Sequence, residues 1–165
     1  MSKENLKEII TYIIIIALVV IIRTYFVTLV RVSGTSMEST LKNGDILVLN
    51  KYIYNKDDIK RFDIVVVKEK DEKLIKRVIG LPSETLEYKD NTLYINGKVV
   101  KEDYLKEETS DYKYEGKIPE NCYFVMGDNR DVSLDSRYFG CFDKKQIKGK
   151  VIYQLLPLKK FGEIN

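Results

Sequence analysis

The chain has 165 residues, enough for one compact domain plus an extra segment. Its 28 Lys and Arg against 25 Asp and Glu leave a net charge of +3, and Lys and Glu alternate rather than cluster, which argues against a nucleic-acid face. With no His, the chain excludes Ser-His-Asp and Cys-His triads and disfavours a zinc site, so a nucleophile here needs another base, usually Lys.

Residues 1–8 read as a short polar tail. Residues 9–22 carry no charge and include four consecutive Ile. Fourteen residues are short for a bilayer span, which takes about twenty. The apolar character resumes after Arg23, so residues 9–30 are expected to form one transmembrane anchor. Arg23 would snorkel to the far interface, and Tyr25 and Phe26 would lie among the headgroups. A secretory signal peptide has a similar apolar core, but no Ala-x-Ala-like cleavage site follows. A buried soluble helix is the third reading, and a run of Ile suits lipid better. Orientation is nearly silent, because Lys3 and Lys7 are offset by Glu4 and Glu8 and opposed by Arg23 and Arg31.

Residues 31–165 are expected to form a mainly β domain, with a compact coiled-sheet or barrel-like architecture. Strands are predicted over residues 45–50, 62–67, 74–79, 85–88, 92–95, 98–100, 122–126 and 150–156. Lys89-Asp90-Asn91 reads as one hairpin turn and Asn96-Gly97 as another. Residues 101–117 are charged and aperiodic, and read as an exposed insertion loop. Cys122 and Cys141 match no metal spacing. The favoured reading is two small buried side chains; a disulfide clamping the loop between them is the alternative, and the sequence does not choose connectivity.

Three segments hold chemistry. Val32-Ser-Gly-Thr-Ser-Met-Glu-Ser-Thr-Leu41 is rich in small and hydroxylic residues; by composition it is a linker, yet Met37 and Leu41 want burial and Asn43-Gly44-Asp45 turns at once into a strand. In Leu74-Ile-Lys-Arg-Val-Ile-Gly-Leu-Pro82, strand alternation sets Lys76 between Leu74 and Val78, with Arg77 on the opposite face. If that face is buried, desolvation lowers the Lys76 pKa and yields a neutral general base; the plainer alternative is an edge-strand Lys in solvent. Gly127-Asp-Asn-Arg-Asp-Val-Ser-Leu-Asp-Ser-Arg-Tyr-Phe-Gly140 packs opposite charges so densely that a self-satisfied ion-pair network is expected. Exposed pairs add little stability, so such a network would fix geometry.

Together, in this order behind an N-terminal anchor, the three segments resemble the boxes of the bacterial type I signal peptidases, membrane-bound Ser-Lys endopeptidases, in their short Gram-positive-like form. The resemblance runs from the anchor to Pro157. It implies Ser36 as nucleophile and Lys76 as general base, with Ser133 orienting the Lys76 amine. Asp128 would pair with Arg77 and Asp135 with Arg137, holding Ser133 in place. The Ser36 N–H would help to form an oxyanion hole, with Gly34 where some relatives carry an extra hydroxyl donor, and Met37 would contribute to substrate binding. The implied reaction is removal of signal peptides from exported preproteins through an acyl-enzyme that water then hydrolyses. Implied partners are preproteins with small residues at the first and third positions before the cut, and the lipid bilayer. Nucleic acid, metal and cofactor are not implied. The expected protein is a single-pass, monomeric enzyme of the cell membrane with its catalytic domain outside the cytoplasm. Two positions depart from the family pattern: Ser39 replaces a usual Pro, and Ser83-Glu84 a usual Gly-Asp. Three other readings compete: a self-cleaving repressor-type Ser-Lys domain, a dedicated processing peptidase and a catalytically silent anchored module. The anchor argues against the first, and Ser36, Lys76 and Ser133 together argue against the third.

Overall fold

The structure is a computed structural model that describes residues 3–55 and 57–164. Residues 1 and 2 of the expected tail, and 56 and 165 of the expected domain, lie outside the described residues, as do the side chains of Lys3 and Tyr25. Helix α1 (Lys3–Tyr25) leads into strand β1 (Val27–Arg31). There follow β2 (Ile46–Asn50), β3 (Ile64–Glu69), β4 (Glu72–Gly80), β5 (Leu86–Lys89), β6 (Thr92–Ile95), β7 (Lys98–Val100), β8 (Tyr112–Lys113) and β9 (Cys122–Met126). The short helix α2 (Ser136–Phe139), β10 (Phe142–Asp143), β11 (Ile147–Leu156) and β12 (Gly162–Glu163) complete the order.

The apolar N-terminal stretch divides in two. The expected span of residues 9–30 is instead a helix beginning six residues earlier and a strand that starts at Val27. The strand is decided by pairing, since Val27 to Arg31 run antiparallel to Asn50 to Ile46. Expecting residues 1–8 to be a separate tail is corrected with it, because Lys3 already lies in α1. Within the helix, residues 4–24 include an 18-residue window of mean hydropathy 2.3, none of which is buried. It is long and apolar enough to cross a membrane, and nothing in the domain covers it.

The main sheet runs β1-β2-β11-β3-β4-β9-β10, with β12 beside β11. A smaller sheet, β7-β6-β5-β8, lies beyond β4. The β-branched run of β3 splits by alternation. Ile64 and Val66 enter one core with Met37, Leu41, Leu47, Leu49 and Ile75, whereas Val65 and Val67 enter another with Val78, Val125 and Phe142. Both faces of the coiled sheet are therefore covered, and the strand reads as continuous apolar sequence. A third core joins the sheets through Ile79, Leu86, Tyr88, Ile118 and Phe124. The mainly β architecture expected from sequence is what the chain forms.

Two expectations are corrected. Residues 101–117 are not simply an exposed loop: they contain β8, and Thr109 is buried. The cysteines are not free buried side chains, for Cys122 and Cys141 form a disulfide. The bond joins the start of β9 to the residue after Gly140, and so closes the ends of the polar segment.

Candidate active site

Residues 33–41 form a tight turn, not a linker. Glu38 N–H donates to the Thr35 carbonyl, and the Thr40 and Leu41 N–H groups donate to that of Met37. Burial of Met37 and Leu41, 2% and 0% exposed, pins this turn to the core under β2 and β3. Gly34 enters it at φ +90°, a conformation that side chains rarely adopt, and its N–H donates to Asn43 Oδ1 at 3.2 Å. A hydroxyl side chain at position 34 would find open space but not an easy backbone. Ser36 is half-buried on a 240 Å³ cleft that is also lined by Gly34, Met37, Val66 and Ile75. The Ser36 N–H donates to no partner among the described residues.

Lys76 lies in the middle of β4 and is 2% exposed. Its ammonium donates to Ser133 Oγ at 2.9 Å, a neutral hydroxyl in place of a carboxylate. Burial pulls its pKa from 10.5 down to about 8; Asp135 and Asp128 oppose that shift and Arg137 adds to it. The solvent-facing alternative for Lys76 is thereby removed.

Arg77, the next residue, points the other way. It donates from Nε to Asp128 Oδ1 at 3.0 Å and from Nη2 to Asp128 Oδ2 at 2.8 Å, a two-pronged pair with 1% and 0% side-chain exposure. Arg137 clasps Asp135 in the same manner, at 2.9 Å to each oxygen. Asp135 also accepts from Gly127 N–H at 3.0 Å. Burial alone would raise the Asp135 pKa; the Arg137 bonds and charge, the Gly127 N–H and the Ser133 hydroxyl together hold it below the ordinary value. Arg77–Asp128 is buried on both sides and Asp135 is buried beneath a part-exposed Arg137, so the low worth of surface ion pairs does not apply: removing either arginine would strand a buried carboxylate.

The structure thus brings together Ser133, Lys76, Arg77, Asp128, Asp135 and Arg137, and sets the Ser36 turn against them. The join is Gly127. A side chain there would collide with Ser133 and with the Ser36 carbonyl, so only Gly allows the two segments to touch. Asn129 N–H donates to the Ser36 carbonyl at 3.0 Å, and Thr40 Oγ1 donates to Asp128 at 2.6 Å. Sequence reasoning gave Gly127 and Thr40 no role. Gly127 stood in plain sight as the first residue of the polar segment, and a glycine framing a charged turn was the available signal.

It also missed a second layer. Arg130 Nε donates to the Gly127 carbonyl at 3.1 Å, while its Nη atoms reach Glu102, Tyr88 and Thr109. Arg77 stacks on the Tyr104 ring, 3.9 Å from its centroid. The segment expected to be an exposed insertion loop therefore buttresses both arginines, with no periodicity to announce it.

The two departures have local accounts. Ser83 has φ 66°, which explains why Gly would be usual there, and Glu84 forms a two-pronged pair with Arg61 while accepting from Leu81 N–H at 2.7 Å. Ser39 Oγ is buried without a partner among the described residues, where Pro would bring no polar atom.

A β-rich domain that sets a serine-bearing turn against a buried lysine, behind an apolar helix, has relatives among known proteins. The model of the family described as signal peptidase, peptidase S26, matches residues 5–156. A signal peptidase I of Bacillus licheniformis is 41% identical over 99% of this chain and 94% of its own length. Signal peptidase IB of Staphylococcus aureus is 37% identical over 98% and 94%. The crystal structure of a signal peptidase I from Enterococcus faecalis superposes with TM-score 0.54 at 41% identity, covering 57% of this chain and 97% of that one. The chain belongs to the signal peptidase family.

Proposed function

We propose that this family member is a membrane-anchored serine endopeptidase that removes signal peptides with a Ser36–Lys76 dyad. The observation that carries the reading is Lys76: buried, set on a neutral hydroxyl at 2.9 Å and lowered to about 8, it has an accessible neutral form. Neutral Lys76 removes the Ser36 Oγ proton as Oγ attacks the scissile carbonyl. The Ser36 N–H stabilises the developing oxyanion. Lys76 then gives its proton to the leaving amine, which departs as the new N-terminus of the mature chain. The signal peptide remains as an ester on Ser36. Lys76 next takes a proton from water, whose hydroxyl attacks the ester; the peptide leaves with a new carboxylate and Ser36 regains its proton. Ser133 holds the amine in line, and the Arg77–Asp128 and Arg137–Asp135 pairs hold Ser133. Gly34 and Met37 shape the cleft, whose 240 Å³ suits small side chains before the cut. No resident metal or cofactor enters these steps.

Helix α1 is read as a single-pass anchor, with the chain working as a monomer at the cell membrane. The disulfide supports placing the domain outside the cytoplasm, because such bonds persist on the oxidising side. The test is cleavage of a preprotein carrying an Ala-x-Ala site, by the full chain in detergent, beside Ser36→Ala and Lys76→Met. The parent is expected to cut after the second Ala, both variants to be inert, and a mass adduct to appear on Ser36 in quenched reactions. A folded but inactive parent, or a variant that cuts as well as the parent, overturns the reading.

A further inference from the structure

The cleft beside Ser36 continues toward the anchor. Val30, Arg31, Val66 and Lys73 line both it and a second hollow of 510 Å³, so the two form one groove. The second hollow has Leu49 and Val66 among its lining, and it carries Arg31, Lys51, Lys73 and Lys148 with no acidic residue. Elsewhere the domain pairs cations with acids, as in Arg61–Glu84 and Lys150–Asp63. Here it does not. Lys51 donates to the Arg23 and Thr24 carbonyls and Lys148 to that of Lys145. Arg31 and Lys73 have no side-chain partner among the described residues. Four unneutralised cations around one concavity focus a positive field into it.

We propose that this hollow is a charge-selective subsite for the substrate polypeptide: it takes the residues that precede the three in the Ser36 cleft, from about the fourth before the cut, and favours an acidic side chain there. The proposal rests on the reading of Ser36 as the attacking group. The Lys51 contacts tie this end of the groove to the C-terminal end of α1, so it opens toward the anchor. A substrate still held by its own membrane segment arrives from that side with its N-terminal part. The first three residues before the cut occupy the 240 Å³ cleft, and the next enter the larger hollow. Leu49 and Val66 meet the methylenes of the incoming side chain, and the amines meet its carboxylate. Anionic lipid headgroups carry the same charge, but continuity with the Ser36 cleft favours the peptide.

The experiment uses the full chain in neutral-lipid bicelles. Peptides with an Ala-x-Ala site carry Asp, Asn or Lys at the fifth residue before the cut. Cleavage is measured for the parent, and binding of the same peptides to Ser36→Ala. We expect kcat/KM to be about tenfold higher for Asp than for Lys, with Asn between, the size of a few partly screened ion pairs. The ratio shrinks in 0.5 M NaCl, where the screening length falls to roughly 4 Å. The Lys73→Glu/Lys148→Glu variant is expected to invert the ranking. Equal cleavage and equal binding of all three peptides overturns the subsite while leaving the Ser36 reading intact. Absence of cleavage with preserved Asp preference in binding overturns the Ser36 reading and keeps the subsite. If the double variant instead lowers cleavage of all three alike, and only in vesicles of anionic lipid, the cations serve the bilayer and the subsite falls.

Discussion

At the scale of single residues, Lys76 sets the pH behaviour. Its folded pKa lies below its unfolded one, so the folded state binds fewer protons between about 8 and 10.5. This group therefore opposes folding below pH 8, and the penalty is relieved as pH rises toward the unfolded value. With Lys76 as the proposed base, kcat/KM is expected to climb tenfold per pH unit below about 8 and level off above it, in a pH-rate profile of the free enzyme. A profile flat from pH 6 to 9 would rule Lys76 out as the base. Gly127 is the second residue with a sharp consequence. Gly127→Ala should leave the fold detectable by near-ultraviolet circular dichroism yet cut kcat/KM by about 100-fold or more, because a displacement near 1 Å separates Ser36 from Ser133. Ser39 offers the opposite sign. Ser39→Ala removes a buried unpartnered hydroxyl and is expected to raise stability by about 1 kcal/mol in urea unfolding, with activity retained.

At the scale of elements, the polar segment between β9 and β10 is held from two directions. From the main sheet, Arg77 of β4 grips Asp128; from the smaller sheet and residues 101–109, Glu102, Tyr88 and Thr109 grip Arg130. Glu102→Ala leaves the Arg130 guanidinium buried and unpaired, and should cost about 3–5 kcal/mol in chemical denaturation. Glu102→Gln, which keeps an acceptor, should cost clearly less, and equal losses in the two variants would deny the ion pair its role. Legibility differed sharply among elements. The strands over residues 92–95, 98–100 and 122–126 were readable to the residue, because alternation and turn chemistry are local. The end of the apolar helix was not: residues 27–30 are apolar enough to continue it, and only pairing with β2 makes them a strand. The segment 101–117 failed for the same reason, since Glu102 and Tyr104 gain their meaning from Arg130 and Arg77, which are distant in sequence.

At the scale of the whole molecule, the coiled sheet lets three cores share one backbone, and the site forms where the turn of residues 33–41, β4 and the polar segment meet. The Cys122–Cys141 bond spans 19 residues and encloses that segment. Reduction is expected to destabilise the domain by about 3 kcal/mol through restored loop entropy, and to lower activity before global unfolding, measured by thermal melts and peptide cleavage with and without dithiothreitol. A melting temperature unmoved by reduction would show that packing alone holds the segment.

The sequence by itself determined the chemistry available to this protein: no His, one Lys between apolar neighbours in a strand, a serine in a segment of small and hydroxylic residues, and a block of charges that had to satisfy itself. These follow from residue type and short-range periodicity, and so does the mainly β character of the domain. The tertiary structure decided the rest. It buried Lys76, which moved its pKa; it chose the disulfide; it ended the apolar helix at Tyr25; and it set Gly127 between Ser36 and Ser133. Each depends on residues far apart in sequence coming within a few ångströms, where desolvation, close packing and pairing act, and no local pattern records that approach.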